Sequence, residues 1–312
     1  MTQPPWRARS GSFIARRGKA LAGVAMAFLF MAPVDAAEVL LTSVEDNTQV
    51  QDFVAELRRR REQDTVRYVV TAQLPSPERI PVDTRLILLD PASLEWRLSA
   101  SSGPPTLVLR INRLQARQHL DEQRAANLTL IWKDPAPARQ LRLIRQLLPK
   151  ARLIGVLFGK DSQFMLNDLR HAATAQGLRV ISQPWDFTEG IRPLQTLLKG
   201  SDVLLGLNDP QVYNTLTMKN LLLSAYADRQ ALIGPSASFV KAGSLASTYS
   251  DQSDWINTLS DLLEQAPQRW PRSLYPNHFK VMSNPQVARS LGLAPINEAA
   301  LAASLAQGER RP

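Results

Sequence analysis

A set of polar side chains stands just beyond the apolar, strand-like runs of this 312-residue chain. Thr42 and Ser43 close Glu38–Val44, Thr71 closes Thr65–Thr71, Asp90 follows Arg85–Leu89, and Asn112 follows Thr106–Ile111. Farther on, Asp161 and Ser162 follow Ala151–Phe158, Asn208 and Asp209 follow Asp202–Leu207, and Ser236 and Ser238 follow Ala231–Ile233. Tyr249 and Asp251 close the run from Leu245. Hydroxyls, amides and carboxylates at the carboxyl ends of strands, beside helix starts, suit reversible binding of a small polar ligand. At any single position, capping of the next helix accounts for the same residue.

The same inventory assembles no enzyme. His119, His171 and His278 lie in unrelated segments without metal-site spacing, and no GxSxG elbow, GxGxxG turn or P-loop occurs. Asp161–Ser162 and Asn208–Asp209 are readable as acid–base pairs, but capping explains them equally. The absence of cysteine excludes disulfides, thiol catalysis, Cys-ligated metals and lipid attachment at an N-terminal cysteine. No catalytic residue, metal or cofactor is expected.

The elements that would position these groups alternate. Short apolar strands are followed by stretches with apolar residues at helical spacing, such as Val50, Phe53, Val54 and Leu57 after a capping Asp46-Asn47. This alternation predicts an α/β fold with mostly parallel sheets. The chain punctuates itself at Lys133–Pro137, where a second series begins, so two lobes are expected. The stretch Ile233–Asp251 is central to the second: a strand, a Gly-Pro turn, a helix started by Ser236 and Ser238 and ended by Gly243, then another strand. Leu301 onward reads as a frayed tail.

Residues 1–36 are set apart as a cleavable signal peptide. Arg7, Arg9, Arg16, Arg17 and Lys19 precede an apolar run from Ala20 to Val34, and Val34-Asp35-Ala36 offers small residues for cleavage before Ala37. A retained anchor is the alternative. Removing this leader takes the formal net charge from +9 to +5. The remaining arginines are spread over Arg58–Arg61, Arg139–Arg152 and the C-terminus rather than gathered with aromatics, which argues against nucleic acid as a partner.

From Leu128 to Leu293 the chain resembles the ABC-transporter substrate-binding proteins of the ABC_sub_bind group, relatives of the tryptophan/tyrosine-binding periplasmic proteins. The resemblance rests on Pro137–Pro149 (PARQLRLIRQLLP), Arg152–Phe158 (RLIGVLF), Val240–Ser247 (VKAGSLAS) and the ending Val281–Leu293 with ARSLGL. It covers about half the chain, and the Val-Lys-Ala-Gly run is its most specific part.

The resemblance implies a type I periplasmic-binding fold: two Rossmann-like lobes, a cleft closing by hinge motion, and crossings near residues 132–135, 247–251 and 276–283. The lobes would comprise residues 37–133 with about 250–280, and 134–249 with about 281–300, leaving 301–312 as tail. Ser236 stands where relatives carry an acidic residue suited to a ligand's ammonium, and Pro235 and Phe239 stand where they carry serines. Gly159–Ser162 replaces an Asn-Pro-Asn-Ser-type loop, Leu207–Asp209 replaces a Thr-Asp-Asn turn, and Asp209 and Asp251 retain acids.

Residues 38–127 carry little of the family's text and lack its Gly-rich loop. The expected role is solute capture for a membrane ABC permease by an exported monomer, soluble in the periplasm. A sensory or accessory protein of the same fold, acting on a receptor kinase or outer-membrane uptake system, is the alternative.

Overall fold

A computed structural model describes residues 37–120, 127–186, 188 and 190–310. The expected leader lies outside them. The first half of the chain runs β1 (Glu38–Ser43), α1 (Thr48–Arg60), β2 (Thr65–Val70), β3 (Arg85–Leu88), α2 (Ser93–Leu98), β4 (Thr106–Ile111), α3 (Arg113–His119) and β5 (Leu128–Trp132). The second series is α4 (Pro137–Leu147), β6 (Leu153–Phe158), α5 (Met165–Thr174), β7 (Arg179–Pro184), α6 (Arg192–Gly200), β8 (Val203–Leu205), α7 (Thr215–Ala227), β9 (Ala231–Ile233), α8 (Ala237–Ala242) and β10 (Ala246–Tyr249). The chain closes with α9 (Gln252–Leu263), β11 (Ser273–Leu274), β12 (Lys280–Ser283), α10 (Pro285–Ser290) and α11 (Glu298–Arg310).

Two six-stranded sheets result. The first has order β11-β5-β4-β3-β1-β2 and is wholly parallel. The second has order β12-β10-β9-β8-β6-β7, parallel except for β12, which runs antiparallel to β10. The α/β, two-lobed, mostly parallel expectation is therefore met. Strands such as Leu86–Leu88 and Leu107–Leu109 are buried throughout because helices cover both faces. On one face of the first sheet Phe53, Leu57, Leu109, Trp255 and Leu259 pack together, uniting α1 with α9. In the second lobe Leu141, Ile144, Leu166, Leu169 and Leu305 share one core.

Local chemistry sets the element ends. Asn47 caps α1, its Oδ1 accepting the Val50 N–H at 3.1 Å. Gly243 ends α8 at φ 130°, donating its N–H to Phe239 and Val240 carbonyls, and a side chain there would be strained. Residues 162–164 form a turn before α5, where the Ser162 hydroxyl donates to the buried Asp209 carboxylate. One difference from the sequence reading stands out. The segment read as a tail from Leu301 is helical. Leu305 in α11 is fully buried, and Glu309 reaches Arg139 of α4 at 2.7 and 2.8 Å.

The chain passes between the sheets three times: after β5, after β10 and after β11.

Candidate inter-lobe binding site

At the carboxyl ends of β1, β2 and β3 the polar side chains bond to one another. Thr42 Oγ1 lies 2.9 Å from Thr71 Oγ1, which lies 2.9 Å from Ser93 Oγ. Asp90 Oδ1 accepts from Ser93 N at 2.8 Å and Ser93 Oγ at 3.1 Å, and Oδ2 accepts from Val44 N at 2.9 Å. Thr42 and Ser43 are buried. This chain of bonds fixes three strand ends relative to one another. Asn112 forms a capping box with Gln115 at the start of α3, with bonds of 2.7 and 3.0 Å.

In the second lobe, Asp209 is 1% exposed and holds the loop after β6. Its Oδ2 accepts from Gly159 N at 2.9 Å and from the Ser162 hydroxyl, and its Oδ1 accepts from Gln211 N at 2.8 Å. Asp161 is exposed and accepts from Gln211 Nε2 at 2.7 Å. Ser236 occupies the N-cap position of α8 but does not cap; its hydroxyl pairs with that of Ser238 at 2.7 Å.

Asp251 caps α9 in a box with Asp254 and accepts a hydrogen bond from Lys280 Nζ. Burial pushes the Asp251 carboxyl up, but the Lys280 ammonium and Ser253 hydroxyl outweigh that and hold it at about 2. Tyr249 is half-buried beside this pair, and burial raises its phenol.

The lobes touch at the starts of α3 and α5. Arg113 Nη2 donates to Asp168 Oδ2 at 2.6 Å. The Phe164 ring carries the Arg113 guanidinium at 5.4 Å and that of Arg117 at 4.6 Å, within cation–π range. The Arg113 side chain also hydrogen-bonds Tyr275, and these partners together outweigh burial to raise its pKa.

Two cavities flank this contact. The larger, about 640 Å³, lies among Arg117, Gln118, Lys160, Asp161, Gln163, Phe164 and Arg170. The smaller, about 40 Å³, is lined by Arg113, Asp134, Gln140, Asn208 and Tyr275, with Met165, Leu169, Leu205 and Leu207 as apolar walls.

Of the residues singled out in the sequence, Asp161 lines the first cavity and Asn208 the second. Asp134 is the residue the spacing argument missed, because Asp-Pro after a strand reads as punctuation. It is 8% exposed and accepts from Arg113 N at 2.6 Å through Oδ2. Burial pushes its carboxyl up, while the Arg113 N–H and the Asn208 side chain pull the other way. Gln140 is locked: its Oε1 accepts from Thr248 N and Oγ1, each at 3.1 Å, and its Nε2 donates to Gly234 O at 3.1 Å. It ties α4 to the ends of β9 and β10.

Among the described residues no group of three or more His, Asp or Glu could hold a metal, and no helix is long and apolar enough to cross a membrane.

The fold is that of two-lobed α/β binding proteins of the type I periplasmic kind. A ligand-free, open substrate-binding protein with adhesive properties from Clostridium difficile matches with TM-score 0.63 at 16% identity, covering 84% of this chain and 97% of that one. An ABC domain in complex with L-Trp from Streptococcus pneumoniae matches with TM-score 0.51 at 17% identity, covering 85% and 97%. A conserved domain protein from Vibrio cholerae matches with TM-score 0.52 at 17% identity, covering 86% and 98%. No family profile and no curated protein matches the sequence.

Proposed function

We propose that this chain is the periplasmic solute-binding component of an ABC-type uptake system, exported by its first 36 residues and acting as a monomer. It takes a small polar or aromatic molecule between its lobes and hands it unchanged to a membrane permease. The observation that carries this reading is the meeting of two doubly wound lobes at strand-end and helix-start groups: Arg113, Asp134, Asn208 and Tyr275. Polar groups at that place in parallel α/β sheets hold ligands by hydrogen bonds and helix-end dipoles. The resemblance over Leu128–Leu293 and the solved structures of like fold point the same way.

Release and capture follow from the contact between the lobes. A cavity of about 40 Å³ admits one small group, whereas a whole solute needs several hundred. The lobes would therefore part for entry, breaking the Arg113–Asp168 pair and lifting Phe164 from its two arginines. Re-forming those contacts after entry would hold the closed state.

Thermal-shift and calorimetric titration of the purified protein against amino acids, purine derivatives, sugars and small organic acids tests the reading. Saturable binding of at least one class is expected. No ligand-dependent stabilisation across all of them would overturn it.

A further inference from the structure

One face of the second sheet is covered by α6, α7 and α8. Leu197 of α6, Leu221 of α7 and Phe239 of α8 share one core against Leu204 and Leu232 of the strands. On α7 the buried side is Thr217, Leu221 and Ala225, four residues apart. The opposite side of the same helix carries Leu216, Leu223 and Tyr226, which are 75%, 56% and 66% exposed. Of the six large apolar side chains exposed among the described residues, these are three, and a fourth, Ile191, immediately precedes α6. A helix apolar on both its inner and outer sides is ordinarily buried. Here the outer side is bare.

The charge around this stripe has a single sign. Arg192 and Lys199 on α6, Lys219 on α7 and Lys241 on α8 are exposed, and the three helices contain no Asp or Glu. Among the described residues none of the four cations has a carboxylate within ion-pair distance. Asp228, just past the end of α7, is followed at once by Arg229. Lys219 shares the outer side of α7 with Leu216 and Leu223. Soluble surfaces ordinarily intersperse both signs and keep apolar side chains scattered.

These features together select the occupant. A second copy seated face to face would set cation against cation with no acid to meet them. A nucleic acid would use the cations but leave Leu216, Leu223 and Tyr226 without a role. A folded acidic partner would need a groove matched to a convex helix. An anionic lipid surface needs none: its phosphates meet the ammonium and guanidinium groups, and the apolar tips reach the acyl boundary. Tyrosine suits that level, with an apolar ring and a polar hydroxyl.

We propose that the outer face of α6, α7 and α8 docks on anionic phospholipid, so that the protein rests reversibly on a membrane through its second lobe. The proposal goes beyond the solute-binding reading and does not depend on it.

The test is co-sedimentation of the full chain, purified as cells make it, with vesicles of phosphatidylcholine alone or with about 30% phosphatidylglycerol. Binding is expected to the anionic vesicles only. It should be lost as salt rises from about 0.1 M to about 0.5 M, where surface charge is screened. K219A/K241A should lower the partition coefficient about twenty-five-fold, about fivefold for each cation. L216S/L223S should lower it about tenfold and leave the melting temperature unchanged, because both side chains are already exposed. R59A/R60A, which removes exposed cations of α1 in the first lobe, should change nothing. Every variant carries the same residues 1–36, so their contribution cancels.

The chain has no cysteine, so L223C and S101C each accept a single environment-sensitive fluorophore. Its emission should shift to the blue on anionic vesicles at position 223 and stay constant at position 101, in the first lobe. Equal binding to neutral vesicles would overturn the proposal, as would binding that survives both double variants, K219A/K241A and L216S/L223S. So would a protein that ignores vesicles but doubles its mass in solution until Leu216 and Leu223 are replaced, which would make the occupant a second copy.

Discussion

At the scale of single residues, most strand-end polar groups turn out to serve one another. Asp209 is the clearest case. Its two oxygens take three donors from the loops after β6 and β8. D209A should therefore unfold in urea with a loss of about 3 kcal/mol, the scale of stranding buried donors that a carboxylate had satisfied.

Asp251 makes a different prediction because it is more exposed and paired with Lys280. Its folded pKa of about 2 lies below the ordinary 3.8, so the unfolded chain binds the proton more tightly. The stabilisation is complete above pH 3.8 and is lost as the pH falls toward 2. D251N keeps a capping side chain but not the charge. Its melting temperature should lie below wild type at pH 5 and converge with it near pH 2.

At the scale of elements, α11 shows where sequence patterning is informative and where it stops. Buried strands and capped helix starts announce themselves locally. Asn47, Asn112 and Asp251 each cap the helix that follows, as their positions suggested. The run from Leu301 is rich in alanine and carries a weak apolar stripe, so nothing local says that it docks. What docks it is tertiary. Arg139, only 3% exposed, donates to Glu309 through two nitrogens and to Pro276 O at 2.9 Å, and lies 3.7 Å over the Phe279 ring.

Asp134 was illegible for the same reason. Its type and position were visible, but its burial depends on α3, β8 and the passage after β11 arriving together. E309A leaves the Arg139 charge buried without its carboxylate. Glu309 is partly solvated, so the expected loss is about 2 kcal/mol, below that of a fully buried pair. Chemical denaturation measures it, and E309Q, which keeps a hydrogen-bond acceptor, should recover part of it.

At the scale of the molecule, the contact of Arg113 and Arg117 with Phe164 and Asp168 is where the relation of the lobes can be altered without touching either core. Asp168 is largely exposed, so D168N should leave the melting temperature nearly unchanged. It should nonetheless shift the lobes toward a wider separation, read as a larger radius of gyration in solution scattering. Replacing Phe164 by Ala removes the ring that both arginines share and should widen the distribution further. An unchanged scattering profile in both variants would mean that the three passages alone set the lobe angle.

The order of strands has a consequence for how the chain reaches this structure. The first sheet is completed by β11 and covered by α9, while the second is completed by β12 and braced by α11. All four come from beyond residue 251, so neither core can close until almost the whole chain has been made. Contacts of such long sequence separation form slowly, because loop closure must precede the contacts that stabilise it. A nascent chain ending at Ser250 should show no cooperative melt and exchange its amide hydrogens freely. The full chain should gain protection in both lobes together. A polypeptide built this way stays open until the segment beyond residue 251 is available to both sheets.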